Sequence, residues 1–169
     1  IKYQKILQYS SIWMDTVRNG EFGLTNTNRL VRSYDGATGL KTGSTSKAKF
    51  CISATAVRDN MHLICVIMGA ETRDIRNNTA MKLLDWGFAN YSSVTPQIDK
   101  NLIADVNVLM GEERTLTPQI PPVTPVLIPK GREKDIIQSV ELAASVEAPI
   151  ESNQTLGKVA LKIGDDKIA

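Results

Sequence analysis

Apolar and polar positions divide this 169-residue chain into a helix-bearing first half and a strand-dominated second half. Ile6, Leu7, Ile12, Trp13, Met14 and Val17 recur at roughly helical spacing, so a helix is predicted within 1–18, closing at Asn19-Gly20. The stretch 22–34 reads as extended, with polar Thr25-Asn26-Thr27-Asn28 ahead of Leu30 and Val31. Asp35-Gly36-Ala37-Thr38-Gly39 predicts a turn and 40–45 a short strand. Two longer strands, 50–57 and 62–69, follow around a turn at Asp59-Asn60, giving a three-stranded antiparallel run. Over 74–91, Ala80, Leu84, Phe88 and Tyr91 share one face beside Met81, which predicts an amphipathic helix with Thr72 and Asp74 supplying N-terminal capping groups.

The pattern then changes. Residues 92–96 read as a connector, and all seven prolines lie between Pro96 and Pro149. Short β-like runs at 102–110, 115–120, 126–128, 136–146 and 156–163 are separated by turns at Gly111-Glu112, Lys130-Gly131 and Gly164-Asp165-Asp166. That spacing suggests a small β-sandwich or barrel. Within 136–146, Ile136, Ile137, Val140 and Ala144 also suit a helix. The expected organisation is α+β: a first domain over 1–93, a linker over 94–98 and an all-β domain over 99–169.

Composition narrows the function classes. Hydrophobic residues make up 42%, enough for an ordinary core, and a net charge of +2 from 20 basic and 18 acidic residues gives no reason to expect nucleic acid. The longest apolar stretch, 63–70, is too short to span a bilayer. No signal peptide is visible, and the first residue is Ile1 rather than Met, as expected of a processed chain or an excerpt. His62 is the only histidine and offers no cluster for zinc, so no metal is expected. If the hairpin turns at Asp59-Asn60, Cys65 faces Ala54 and Cys51 faces Met68. Side-chain alternation then puts the sulfurs on opposite sheet faces, which predicts two buried free thiols rather than a disulfide.

The candidate chemistry is Lys41-Thr42-Gly43, on a short strand behind a Gly-x-x-Gly turn. A cation, a hydroxyl and a backbone position without a side chain form a wall that can hold a carboxylate while a peptide lies along the strand. K-T-G is one of three motifs of serine acyl-transferases of the penicillin-binding type, with S-x-x-K and S-x-N. Ser44-Thr45-Ser46-Lys47 matches S-x-x-K literally. At a strand end, however, a spacing of three sends the two side chains to opposite faces, where a helix would align them, so it is not read as the nucleophile pair. S-x-N is absent.

Tyr34-Asp-Gly-Ala-Thr-Gly-Leu-Lys-Thr-Gly-Ser-Thr, the strand 50–57, Val66-Ile-Met-Gly-Ala and Lys82-Leu-Leu-Asp-Trp-Gly-Phe together resemble the D-alanyl-D-alanine carboxypeptidases, the low-molecular-mass penicillin-binding proteins. The resemblance implies the C-terminal part of a β-lactamase/transpeptidase-like α/β sandwich up to about Tyr91, followed by a looser match to the family's β-rich C-terminal domain. It implies that Lys41 binds the terminal carboxylate and assists proton movement, that Thr42 offers its hydroxyl to the same carboxylate, and that Gly43 leaves room for the substrate backbone. The Ser44 N–H would form half of an oxyanion hole, and Arg76, near the start of the helix after the hairpin, would face the carboxylate pocket. The alternative for Arg76 is a surface ion pair with Asp74 or Glu71. Asn26 and Asn28 are read as backbone ties.

In the family, S-x-x-K and S-x-N lie upstream of K-T-G, so an N-terminal part or fragment of the same protein is expected to carry the serine. The implied partners are peptidoglycan stem peptides ending in D-Ala-D-Ala, and β-lactams as inhibitors, with no cofactor. The implied location is extracytoplasmic, with membrane attachment through a C-terminal helix lying beyond Ala169. Two rival readings are a non-catalytic envelope spacer or docking module, and a β-lactamase, against which the β-domain argues.

Overall fold

The computed structural model describes residues 3–169; the predicted helical segment's first two positions, Ile1 and Lys2, lie outside the described residues. The chain forms two compact units, Ile1–Ser92 and Ser93–Ala169.

In the first unit the helix α1 covers only Lys5–Ser10, and Met14–Val17 (β1) and Phe22–Thr25 (β2) form an antiparallel hairpin. The single helix expected over this region is therefore wrong, for two local reasons. Arg18, Asn19 and Gly20 take φ of 54°, 55° and 93°, the left-handed backbone of a tight hairpin turn that Asn-Gly favours. In addition, Asn26 Nδ2 donates to the carbonyls of Ser10 (3.0 Å) and Ile12 (2.9 Å), taking up oxygens that a continuing helix would use. The extended reading of 22–34 fails at Leu30–Ser33, which form one helical turn, α2. Asn28 Oδ1 accepts from Leu30 N at 3.1 Å, and this bond bends the chain into that turn.

Three antiparallel strands follow: β3 (Ala37–Thr45), β4 (Lys49–Arg58) and β5 (Met61–Ala70), in spatial order β3-β4-β5. Asp59 and Asn60 make the β4–β5 turn with φ of 47° and 60°, and Ala54 faces Cys65, as the sequence suggests. The register shifts further along: Phe50 pairs with Ala70 and Ile52 with Ile67, so Cys51 opposes a bulge containing Met68 and Gly69, not Met68 alone. Cys65 is buried, but Cys51 is only partly so, and its Sγ donates to the Ala48 carbonyl at 3.3 Å. The expectation of two buried thiols is met only at Cys65.

Helix α3 (Arg73–Asn90) packs on one face of this sheet. Thr72 caps it, its hydroxyl accepting from Ile75 N at 3.1 Å. Ala80, Leu84 and Phe88, four residues apart, meet Ile52, Ala54, Ala56 and Cys65, with Leu30 from α2 filling the same core. Burying a leucine as fully as Leu84 stabilises the fold by about 1.5–3 kcal/mol. Gly39 (φ 142°) sits where any Cβ would strike Ser10, so its bare backbone allows α1 to close on β3, where Ser10 Oγ donates to the Thr38 carbonyl at 2.7 Å.

On the other face of β5, His62 Nε2 is buried with no hydrogen-bond partner among the described residues, and burial lowers the imidazole pKa below its ordinary 6.5. The folded state therefore prefers the neutral ring, and the unfolded chain binds the proton more readily. Stability is retained above pH 6.5 and falls as pH drops through and below that value. The melting temperature is expected to decrease more between pH 7.5 and 5 for the native chain than for His62→Gln; parallel curves would contradict this.

A short strand, β6 (Tyr91–Val94), leads into the second unit, whose regular elements are strands apart from two single 3-10 turns (Lys100–Leu102 and Glu133–Asp135): β7 (Val106–Leu109), β8 (Thr115–Leu116), β9 (Val126–Pro129), β10 (Ile136–Leu142), β11 (Ser145–Glu147), β12 (Gly157–Ile163) and β13 (Asp166–Lys167). One sheet has the order β10-β12-β13 and another β11-β7-β8, with β11 parallel to β7. Val126, Ile128 and Ile163 form a small core with Val94, Ile136 and Ile168. Residues 136–142, which also suited a helix, form a strand because alternate residues from Ile136 to Leu142 turn inward. No described helix is long and apolar enough to cross a membrane.

Candidate active site

Strand β3 presents Lys41, Thr42 and Gly43 along the sheet edge, since β3 pairs only with β4. In register, Lys41 faces Ser53, Thr42 faces Ile52 and Gly43 faces Cys51. Side chains alternate, so Thr42 turns toward the α3 side with Ile52 and is buried, while Lys41 is exposed. The Lys41 ammonium donates to the Thr42 carbonyl at 2.6 Å, which folds it back along its own strand. The Thr42 hydroxyl lies 2.7 Å from that of Thr27, in the loop after β2. Thr27 is held by the Asn26 and Asn28 turn: Asn26 Oδ1 accepts from Asn28 N at 2.9 Å. Both asparagines thus act as backbone ties.

Tyr34, Asp85 and Arg58 hold the entry to the motif strand. The Tyr34 hydroxyl donates to Asp85 Oδ1 at 2.7 Å, and the Arg58 guanidinium lies 4.5 Å from the Tyr34 ring centroid while donating to the Asp35 carbonyl. Burial, reinforced by the Asp85 hydrogen bond, pushes the Tyr34 phenol well above its ordinary range, so it stays a donor.

Lys41, Thr42, Gly43, Ser44 and Arg76 all line one cavity of about 960 Å³. Arg76 is 4% exposed. Its Nε and Nη2 donate to Asn77 Oδ1 at 3.1 and 2.9 Å, and Nη1 reaches the Cys51 carbonyl at 3.4 Å. It makes no ion pair with Asp74 or Glu71, because Glu71 is paired with Lys49. Every oxygen bound to this buried guanidinium is neutral, so its charge remains available to an anion in the cavity. Burial, with Arg73 and then Arg29 nearby, lowers its pKa.

Ser44 and Lys47 do not form a nucleophile pair: β3 ends at Thr45, and Lys47 lies in the turn that follows, where Thr45 Oγ1 accepts from Ala48 N at 2.8 Å. Sequence reasoning missed Thr27, Asn77, Trp13, Arg29 and Arg73, which share the cavity wall. The available signal was the T-N-T-N run itself and the basic residues on either side of the motif strand.

Comparison with known proteins bears on the family and the fold. Residues 1–72 match the family described as D-alanyl-D-alanine carboxypeptidase, and residues 91–169 match the penicillin-binding protein 5 C-terminal domain. D-alanyl-D-alanine carboxypeptidase DacF of Bacillus subtilis (strain 168) is 32% identical over 100% of this chain and 44% of its own length. DacC of Escherichia coli (strain K12) is 32% identical over 85% of this chain and 36% of its own. The crystal structure of penicillin binding protein 5 from Haemophilus influenzae superposes with a TM-score of 0.78 at 29% identity, covering 96% of this chain and 48% of that one. The chain thus spans less than half the length of these relatives. A K-T-G strand at the edge of a helix-backed sheet, two consecutive family matches and the shared fold lead to one conclusion: this chain belongs to the D-alanyl-D-alanine carboxypeptidase family of low-molecular-mass penicillin-binding proteins.

Proposed function

We propose that this chain supplies the K-T-G wall of a serine-type D-Ala-D-Ala carboxypeptidase, with residues 1–93 forming the C-terminal part of the catalytic domain and 99–169 a β-domain. The observation that carries this reading is the convergence of Lys41, Thr42 and the ion-unpaired, buried Arg76 on one cavity. The terminal carboxylate of a peptidoglycan stem peptide sits against the Lys41 ammonium, the Thr42 hydroxyl and the Arg76 fork. Gly43 lets the peptide backbone run beside β3. A serine from an N-terminal part of the same protein attacks the penultimate D-alanine carbonyl, and the Ser44 N–H stabilises the oxyanion as its charge develops. D-Alanine departs, and water hydrolyses the acyl-serine. β-Lactams acylate the same serine as their strained ring amide opens, and water hydrolyses that acyl-serine only slowly. The work is done outside the cytoplasm, on the cell wall.

Thr27 belongs to this mechanism as a positioning residue: its hydroxyl orients that of Thr42 toward the carboxylate. The test is labelling of the natural protein with a fluorescent penicillin, followed by separation on a denaturing gel. A labelled serine-bearing segment that accompanies this chain supports the reading. If a segment carrying S-x-x-K accompanies it and takes up no label, the reading is wrong, and a spacer or docking role replaces it.

A further inference from the structure

The β1–β2 hairpin carries a reactive pair that the cavity does not use. Its turn holds Asn19-Gly20, the only Asn-Gly sequence in the chain. Asn19 and Gly20, with φ of 55° and 93°, are the central residues of a turn closed by Glu21 N donating to the Arg18 carbonyl at 3.2 Å. Every residue from Arg18 to Glu21 is exposed. Neither the Asn19 amide nor Gly20 N makes a hydrogen bond among the described residues. A Cβ added at Gly20 would meet nothing within 4 Å, so no neighbour crowds that side of the turn.

We propose that Asn19 is a site of spontaneous deamidation, and that its conversion to isoaspartate loosens the hairpin. Gly20 N gives up its proton to solvent base and attacks the Asn19 side-chain carbonyl carbon. The bond from that carbon to the amide nitrogen breaks, ammonia leaves, and a cyclic imide closes. Water opens the imide at either carbonyl. One opening leaves aspartate; the other leaves isoaspartate, whose main chain runs through the former side chain and is one methylene longer. The sum is asparagine plus water giving an acid plus ammonia, with nothing oxidised or reduced.

The closed turn opposes this attack by fixing the backbone around Asn19, so the reaction waits on the hairpin opening. That opening is cheap. Strands β1 and β2 pair over only four positions, every residue in them is exposed, and none belongs to the core of the unit. Other candidates are held more firmly. Asp35-Gly36 could form the same imide, but Arg58 Nε and Nη2 both donate to the Asp35 carbonyl, and Gly36 O accepts from Val57 N at 2.8 Å. Asn28 and Asn77 are buried, with their side-chain oxygens bound to Leu30 N and to Arg76. The effect of conversion reaches the cavity, because Trp13 and Thr25 at the base of the hairpin line its wall. A tight two-residue turn accepts aspartate in place of asparagine, but a lengthened main chain no longer matches the twist of the strands.

The experiment holds the protein at mildly alkaline pH and follows it by ion exchange and by peptide mapping that separates aspartate from isoaspartate. Asn19 is expected to convert first, giving both acids at that position, while the added carboxylate lowers the formal net charge from +2 to +1. Asn19→Gln should keep its charge over the time in which the native chain is half converted. The cross-strand NMR contact between the register partners Val17 and Phe22 should vanish in the isolated isoaspartate form. It should survive in Asn19→Asp, which adds the charge without lengthening the backbone. An unchanged Asn19 after the time that converts it fully in the urea-denatured chain would overturn the assignment, and so would conversion spread evenly over the other asparagines. Survival of the Val17–Phe22 contact in the isoaspartate form, or its loss in Asn19→Asp as well, would show that the longer main chain is not what loosens the hairpin.

Discussion

Lys41→Ala is expected to slow both penicillin acylation and D-alanine release by about a thousandfold in the protein that carries the serine, the scale seen when one preorganised electrostatic group is removed from a site. The ammonium faces the cavity, and its one hydrogen bond is to its own strand at Thr42, so the fold should be unchanged. Thermal unfolding of the variant should match the native protein within about 0.5 kcal/mol, the range for an exposed substitution. Lys41→Arg should recover little, because a planar fork cannot take the place of a compact ammonium on a strand beside a bound peptide. Acylation and turnover are measured together, by stopped labelling and by D-alanine release. Near-normal values for both would remove Lys41 from the machinery.

Leu84→Ala should cost about 3 kcal/mol, combining lost transfer energy with the cavity left between α3 and the sheet. For a unit of this size that is a fall in melting temperature of more than roughly 10 °C. Leu83→Ala, one residue earlier but 49% exposed, should move it little. The contrast, read by circular dichroism, tests which face of α3 is buried. It also bears on function, because α3 carries Arg76 into the cavity wall and loosening its seat loosens the guanidinium. Equal losses at both leucines would mean that the helix is packed on a different face.

The local grammar of the first half was legible wherever a periodic pattern had a clear end signal. Ala80, Leu84 and Phe88 mark the buried face of α3, Thr72 marks its cap, and Asp59-Asn60 marks the β4–β5 turn. The reading of 1–18 failed because apolar spacing near Trp13 looked helical while Asn26, distant in sequence, captured the Ser10 and Ile12 carbonyls. The pairing of Cys51 with Met68 failed because a bulge costs one residue of register and leaves no mark that alternation can reveal. In the second half, Ile136 and Val140 satisfied helical and strand spacing alike until β12 arrived to pair with them.

The candidate site divides along the same line. Lys41-Thr42-Gly43 announces itself because three adjacent residues carry its chemistry and adjacency survives in one dimension. Folding was needed to set Thr27 against Thr42 across a 15-residue gap, to bring Arg76 to the Cys51 carbonyl 25 residues away, and to gather five cations around one acid. Contacts within a turn or a strand are written in neighbouring letters. Contacts between elements depend on packing, register and burial, which arise only when the core around Leu84 and Ile52 closes.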